Sequence, residues 1–341
     1  MHRFDPTRLA LLFAVAIPFL GSPVSAQSGT AIGRTERLDP AFDALVPADA
    51  RIEKLADGFQ WTEGPVWRAR GGYLLFSDIP NNTINRWKEG EGVTVYLRPA
   101  GYNGSSPFGR ELGTNGLTVD AHGALVMADH GNRQIARLDE ANFTRTTLAD
   151  RYQGKRLNSP NDLVFHPNGD LYFTDPPYGL DGLNDSKAKE LPFNGVYRLT
   201  PNGELTVLTG ELTFPNGIAI SPDGRTLYVA VSDPRRPLWM AYDIQADGTI
   251  ARGRVFFDPA PLVAQGRIGS PDGMKVDRAG NLFATGPGGV LVLSPAGKHL
   301  GTILTGQRTA NVAFGDDGST LYMTADKTLL RMRVATKGLG F

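Results

Sequence analysis

The stretch "NSPNDLVFHPNGDLYFTDP", residues 158–176, decides the fold. By itself it reads as one β-hairpin. A short strand follows the Asn161-Asp162 pair, "HPNGD" turns the chain, and an apolar second strand runs from Leu171. Pro, Asn and Gly are the residues that such a turn needs. The same pattern occurs at "EGPVWRARGGYLLFSD" from Glu63, "NGLTVDAHGALVMAD" from Asn115, "NGIAISPDGRTLYVA" from Asn216, "DGMKVDRAGNLFATG" from Asp272 and "NVAFGDDGSTLYMTA" from Asn311. Each copy is a polar starter, a short strand, a turn and an apolar strand.

Successive starters lie 52, 46, 55, 56 and 39 residues apart. That interval suits a four-stranded blade, and six radial blades make a β-propeller. A sandwich does not repeat one pattern six times, and a solenoid has shorter, more constant periods. Gly 41 and Pro 24 among 341 residues agree with many short strands, and no long stretch keeps helical apolar spacing. The predicted fold is therefore all-β, a six-bladed propeller with a central divalent metal site. After Asn311 only three strands fit, around Val312–Phe314, Thr320–Thr324 and Leu329–Val334, while "RIEKLA" from Arg51 precedes the first repeat. Pairing that segment with the last three strands would complete blade six.

Residues 1–26 do not read as fold. Arg3 and Arg8 precede an apolar run from Leu9 to Leu20, and Val24-Ser25-Ala26 has the spacing of a cleavage site, the pattern of a secretory signal peptide. The run is shorter than the roughly 20 residues that span a bilayer. Residues 27–50 are expected as a leader draped on the surface and 51–341 as the propeller, exported to the periplasm or outside the cell. Zero cysteines exclude disulfides, thiolate metal sites and a cysteine nucleophile. The 35 basic and 35 acidic residues balance, which gives no footprint for nucleic acid or a membrane surface. A small-molecule partner is expected, with the chain a monomer or weak homo-oligomer.

In a propeller the first strand of each blade lines the central channel, so the starters Glu63, Asn115, Asn161, Asn216, Asp272 and Asn311 form a ring near one mouth. Asn-Gly and Asp-Gly pairs are also good turn formers, but a turn requirement would admit Ser, Gly or Pro and would not explain Glu63. Oxygen donors carrying two carboxylates suit a hard divalent ion. Calcium takes 6–8 oxygen ligands in tolerant geometry, magnesium prefers strict octahedra and zinc prefers His or Cys, so calcium comes first. The loops after each second strand return to the same mouth, which makes His130, Arg133, Tyr178 and Arg235 candidates for substrate contact. The long loop 176–194 suggests a lid. His122 and His166 fall on the far mouth and are discounted. No Gly-x-Ser-x-Gly elbow, His-Glu-x-x-His helix or phosphate loop is present, so a serine hydrolase or kinase is unsupported.

"EGPVW" at Glu63, "SPNDLVFHPNGDLYFTDPPYGL" at Ser159, "FPNGIAIS" at Phe214 and "SPDGMKVD" at Ser270 resemble the gluconolactonase branch of the SMP-30/gluconolactonase/LRE family, from about Asp57 to Val334. The resemblance implies one catalytic divalent ion held by Glu63, Asn161, Asn216 and Asp272, with calcium frequent and zinc, magnesium or manganese alternatives. It leaves Asn115 and Asn311 as channel-facing neighbours, placed with His130, Arg133 and Tyr178 on the substrate side. The reaction it implies is hydrolysis of a sugar lactone such as glucono-1,5-lactone, with Asp272 as candidate base or nucleophile. Other lactones, phosphotriesters, a quinone-linked dehydrogenase and a non-catalytic propeller with a structural ion are the competing readings.

Overall fold

In the computed structural model, which describes residues 32–105 and 109–341, the six repeats become six antiparallel sheets. The signal peptide expected over 1–26 lies outside the described residues. Blade one comprises Thr62–Arg68, Tyr73–Asp78, Thr83–Lys88 and Gly92–Leu97, hydrogen-bonded in chain order. Blades two to five repeat this order, and the first strand of every blade touches the first strand of the next until the sixth returns to the first. The ring is a closed six-bladed propeller. Among the described residues no helix is long and apolar enough to cross a membrane.

Closure occurs as the chain ends suggested. Blade six takes Thr309–Gly315, Thr320–Ala325 and Thr328–Arg333 from the C-terminal part, and its outer strand is Glu53–Asp57, with Glu53 opposite Arg331 and Asp57 opposite Thr328. The expectation of a leader merely draped on the surface is corrected for its described part. Arg34–Arg37 pairs with His299–Leu304 as a fifth strand of blade five. Phe42 and Val46, both wholly buried, enter the apolar cluster between blades five and six. The amphipathic sequence of 38–46 explains the burial, because exposing Phe42 and Val46 would leave a large apolar area in water.

Six apolar clusters fill the six gaps between blades. Each second strand is sandwiched on both faces, so Leu74, Leu75 and Phe76 are consecutive and all buried. This accounts for the unbroken apolar runs "YLLF", "LYF" and "TLYVAV", which alternation alone would not have given. Hydroxyls at the ends of second strands stitch neighbouring blades: Ser77 Oγ donates to Asn115 O at 2.8 Å, Thr174 Oγ1 to Asn216 O at 2.6 Å and Thr285 Oγ1 to Ala310 O at 2.9 Å.

Candidate active site

Four of the six starters are strand residues. Glu63, Asn115, Asn216 and Asn311 lie within the first strands of their blades, and the pairing register slips beside each of them. Asn161 and Asp272 lie two residues before the first strands of blades three and five, Leu163–Phe165 and Met274–Val276. The glycine that follows four of the starters has a steric reason. A Cβ on Gly64, at φ +50°, would stand 2.0 Å from Asn115 O, and one on Gly217 would stand 2.2 Å from Asp272 O. Only glycine lets the next starter's backbone approach this closely. The starter-glycine pairs thus narrow the ring at one mouth.

Inside that ring three carboxylates face one another. Burial above all, with the nearby charge of Asp162, pushes Glu63 up to about 8, although the Gly64 N–H at 2.7 Å and Asn311 Nδ2 at 3.1 Å both donate to Glu63 Oε2. Burial, then Glu63 and Asp162, hold Asp272 well above the usual carboxylate range. Asp162 is also raised by burial, with Lys275 opposing the shift. Asp272 keeps partial exposure to the channel while Glu63 is 2% exposed. Among the described residues no three His, Cys, Asp or Glu side chains form a metal cage of their own, so an ion here would have to recruit the amides. The donor set fits one. Buried like charges with a single lysine nearby are stabilised by a cation, and the buried Asn115 Oδ1 has no hydrogen-bond partner among the described residues.

The remaining candidates divide. Asn216 Nδ2 donates to Ser232 Oγ at 2.9 Å and its amide also supports Asp272. Asn311 turns inward: Nδ2 bridges towards Glu63 and Asp162, and Oδ1 accepts the Val312 N–H at 2.9 Å. It braces the carboxylates and is not poised as a substrate contact. Tyr178 stacks on Phe214 with centroids 5.8 Å apart. Its hydroxyl lies beside Ser232 and Asn216 without completing a hydrogen bond to either, and burial together with the Asp272 and Glu111 charges pushes its phenol well up. His130 is buried, with Nδ1 2.9 Å from Glu111 Oε2 and Nε2 without a partner among the described residues.

Arg133 is corrected from substrate contact to fastener. Its Nε donates to Leu157 O at 2.7 Å and Asn158 O at 3.0 Å, and Nη1 to Ala188 O at 2.9 Å. The loop 176–194 is accordingly a wall more than a lid: Leu180 and Leu191 are buried, and Lys189 Nζ donates to Leu191 O at 2.6 Å and Phe193 O at 2.9 Å. Arg235, 85% exposed, only pairs with Asp233.

Sequence reasoning passed over Asp162 and Glu111. Asp162 had a visible signal, since blade three carries Asp where four blades carry the close-approach glycine. Glu111 had none, because its partner is 19 residues away on another loop. At the opposite mouth the channel widens into a cavity of about 1300 Å³ bounded by Trp67, Leu117, Phe165, Ile218 and Lys275. His122 lies there, and His166 bonds the Gly224 carbonyl at 3.0 Å. Glu63, Asp162 and Asp272 do not line that cavity; they lie at the starter end.

Residues 61–327 match the family model described as "SMP-30/Gluconolactonase/LRE-like region". A gluconolactonase of Zymomonas mobilis subsp. mobilis is 42% identical over 322 residues, which cover 91% of this chain and 89% of that protein. The solved structure of a gluconolactonase from Xanthomonas campestris superposes with a TM-score of 0.77 at 33% identity, covering 90% of this chain and 97% of that one. A pentonolactonase of Haloferax volcanii is 26% identical across 77% of this chain and 80% of its own length.

Proposed function

Since the chain belongs to the SMP-30/gluconolactonase/LRE-like family, we propose that it is an exported, cation-dependent lactonase that opens a sugar lactone such as glucono-1,5-lactone to the aldonic acid. The observation that carries this reading is the cluster of Glu63, Asp162 and Asp272, whose ionisation is suppressed by burial and mutual repulsion in a ring otherwise built of amides. Glu63, Asn161, Asn216 and Asp272 would hold the ion, with calcium preferred and zinc, magnesium or manganese as alternatives. Bound there, such an ion supplies electrophilic polarisation of the lactone carbonyl and charge stabilisation for its oxyanion.

The chain's own residues do the rest. The Tyr178 hydroxyl and Asn115 Oδ1, both lacking partners among the described residues, offer a donor and an acceptor to the hydroxyls of a sugar acid derivative. The fixed wall of 176–194 excludes bulk water from one side. Asp272 has two roles open to it, ligand and base, and a carboxylate that gives its lone pairs to a cation is a weakened base.

Proton release from EDTA-stripped protein given glucono-1,5-lactone, with each of the four cations added in turn and spontaneous opening subtracted, tests the reading. Acceleration that requires a cation supports it. Hydrolysis indifferent to EDTA and to every ion, or none at all, sinks it. A second readout is independent of turnover: because Glu63 holds its proton to about 8, calcium binding at pH 7 should expel protons into a weakly buffered solution.

A further inference from the structure

The pair Glu111 and His130 is placed by nothing in the cation reading, yet it stands in the same mouth. His130 follows the second strand of blade two, whose last residue Asp129 faces Thr114, the neighbour of Asn115. Its side chain is wholly enclosed, and the Cβ that Gly179 lacks would stand 3.2 Å from the His130 Cβ. Gly179 follows Tyr178, and the Tyr178 hydroxyl feels the charges of both Asp272 and Glu111. The charges of Glu111, the partner of His130, and of Asp272 in the carboxylate cluster thus both reach one tyrosine hydroxyl.

The ring's two nitrogens are in different situations. Nδ1 lies 2.9 Å from Glu111 Oε2, while Nε2 is buried with no partner among the described residues. An orphaned buried imidazole nitrogen costs stability unless a ligand or water meets it in use. In the neutral ring the carboxylate holds the proton on Nδ1 and leaves the Nε2 lone pair free.

We propose that His130, oriented by Glu111, is the residue that moves the proton in lactone opening, leaving Asp272 to its ligand role. This rests on the lactonase reading above. Nε2 takes a proton from water as the water oxygen bonds to the lactone carbonyl carbon. When the bond from that carbon to the ring oxygen breaks, the same proton passes from Nε2 to the departing oxygen. One water has been added, the imidazole is again neutral, and the free hydroxy acid then ionises into solvent. His130 is a catalytic residue in this scheme and Glu111 a positioning residue.

The test compares wild type, His130→Gln, Glu111→Gln and the far-mouth control His122→Gln, each loaded with the preferred cation. His130→Gln should lower kcat by about 100-fold or more with KM and the cation-induced rise in Tm unchanged. Glu111→Gln should lower kcat by a smaller factor, again without a change in KM. In 15N-histidine-labelled wild type, the resonance absent from the His130→Gln spectrum should show an Nδ1-protonated ring whose Nε2 signal moves on adding gluconate. Unchanged kcat in His130→Gln overturns the proposal, as does a loss that comes with a lower Tm or lost cation binding, or an Nε2 signal that ignores gluconate. A wild type that fails to open any lactone defeats the parent reading, whereas an active wild type with equally active variants defeats only this one.

Discussion

Asp175 closes the second strand of blade three with Oδ2 accepting the Asn158 N–H at 2.8 Å and Oδ1 buried without a partner among the described residues. Burial pushes it from 3.8 up to about 7, against the N–H donors of Asn158 and Ser159 and the charges of Arg133 and Lys189. A carboxyl that holds its proton longer when folded stabilises the fold fully below its unfolded value and progressively less as pH rises to the folded value. Its contribution should therefore fall between about pH 4 and 7, by on the order of a few kcal/mol, and stay level above. Urea melts across that range should show the slope in wild type and its reduction in Asp175→Asn. At the cation site, Glu63→Gln and Asp272→Asn should each abolish lactone turnover and weaken calcium retention, read by assay and by titration calorimetry. Full turnover with bound calcium in both would remove these residues from the site. How much of this was readable in the sequence depended on repetition: six starters at one repeat position announced themselves as a ring. Arg133 was a candidate for substrate contact because its loop returns to the starter mouth, and nothing local revealed the carbonyls of Leu157, Asn158 and Ala188 that claim it.

At the scale of elements, strand count and order were legible because each hairpin carries its own turn residues, while additions from outside the repeat were not. The strand Arg34–Arg37 has no hairpin partner in sequence; its register with His299–Leu304 joins residues more than 260 positions apart. Phe42 anchors that addition in one cluster with Phe283, Val290 and Phe314. Phe42→Ala should cost about 3–5 kcal/mol in chemical denaturation, and a loss below 1 kcal/mol would mean the segment rests on the propeller without supporting it. The wall 176–194 depends similarly on one side chain from blade two. Arg133→Met keeps the bulk and removes the donors, so amide exchange around Ala188 should quicken by at least tenfold while exchange in the strands Leu171–Asp175 and Gly195–Leu199 stays as it was. Equal protection of Ala188 in both proteins would show that Lys189 and the buried Leu180 and Leu191 hold the wall unaided.

Across the whole molecule, the candidate ligands Glu63, Asn161, Asn216 and Asp272 come from blades one, three, four and five. An ion bound by all of them would link blades that otherwise meet only their neighbours. Free calcium at 100 times Kd should then raise the unfolding free energy by about 2.7 kcal/mol in one transition, and calorimetry resolving a separate calcium-insensitive transition would argue against a ring-wide tie. The outline of the ring was readable from the period of the repeat; the cavity at the far mouth was not, since its volume depends on side chains brought together from all six blades. Blade six, finally, is assembled from Glu53–Asp57 and strands that begin at Thr309. A nascent chain can build blades in order as it emerges, yet the circle stays open until Thr328–Arg333 has been made. Until the strands from Thr309 to Arg333 exist, Glu53–Asp57 has no sheet to join, so the ends of the propeller segment are committed to the fold together or not at all.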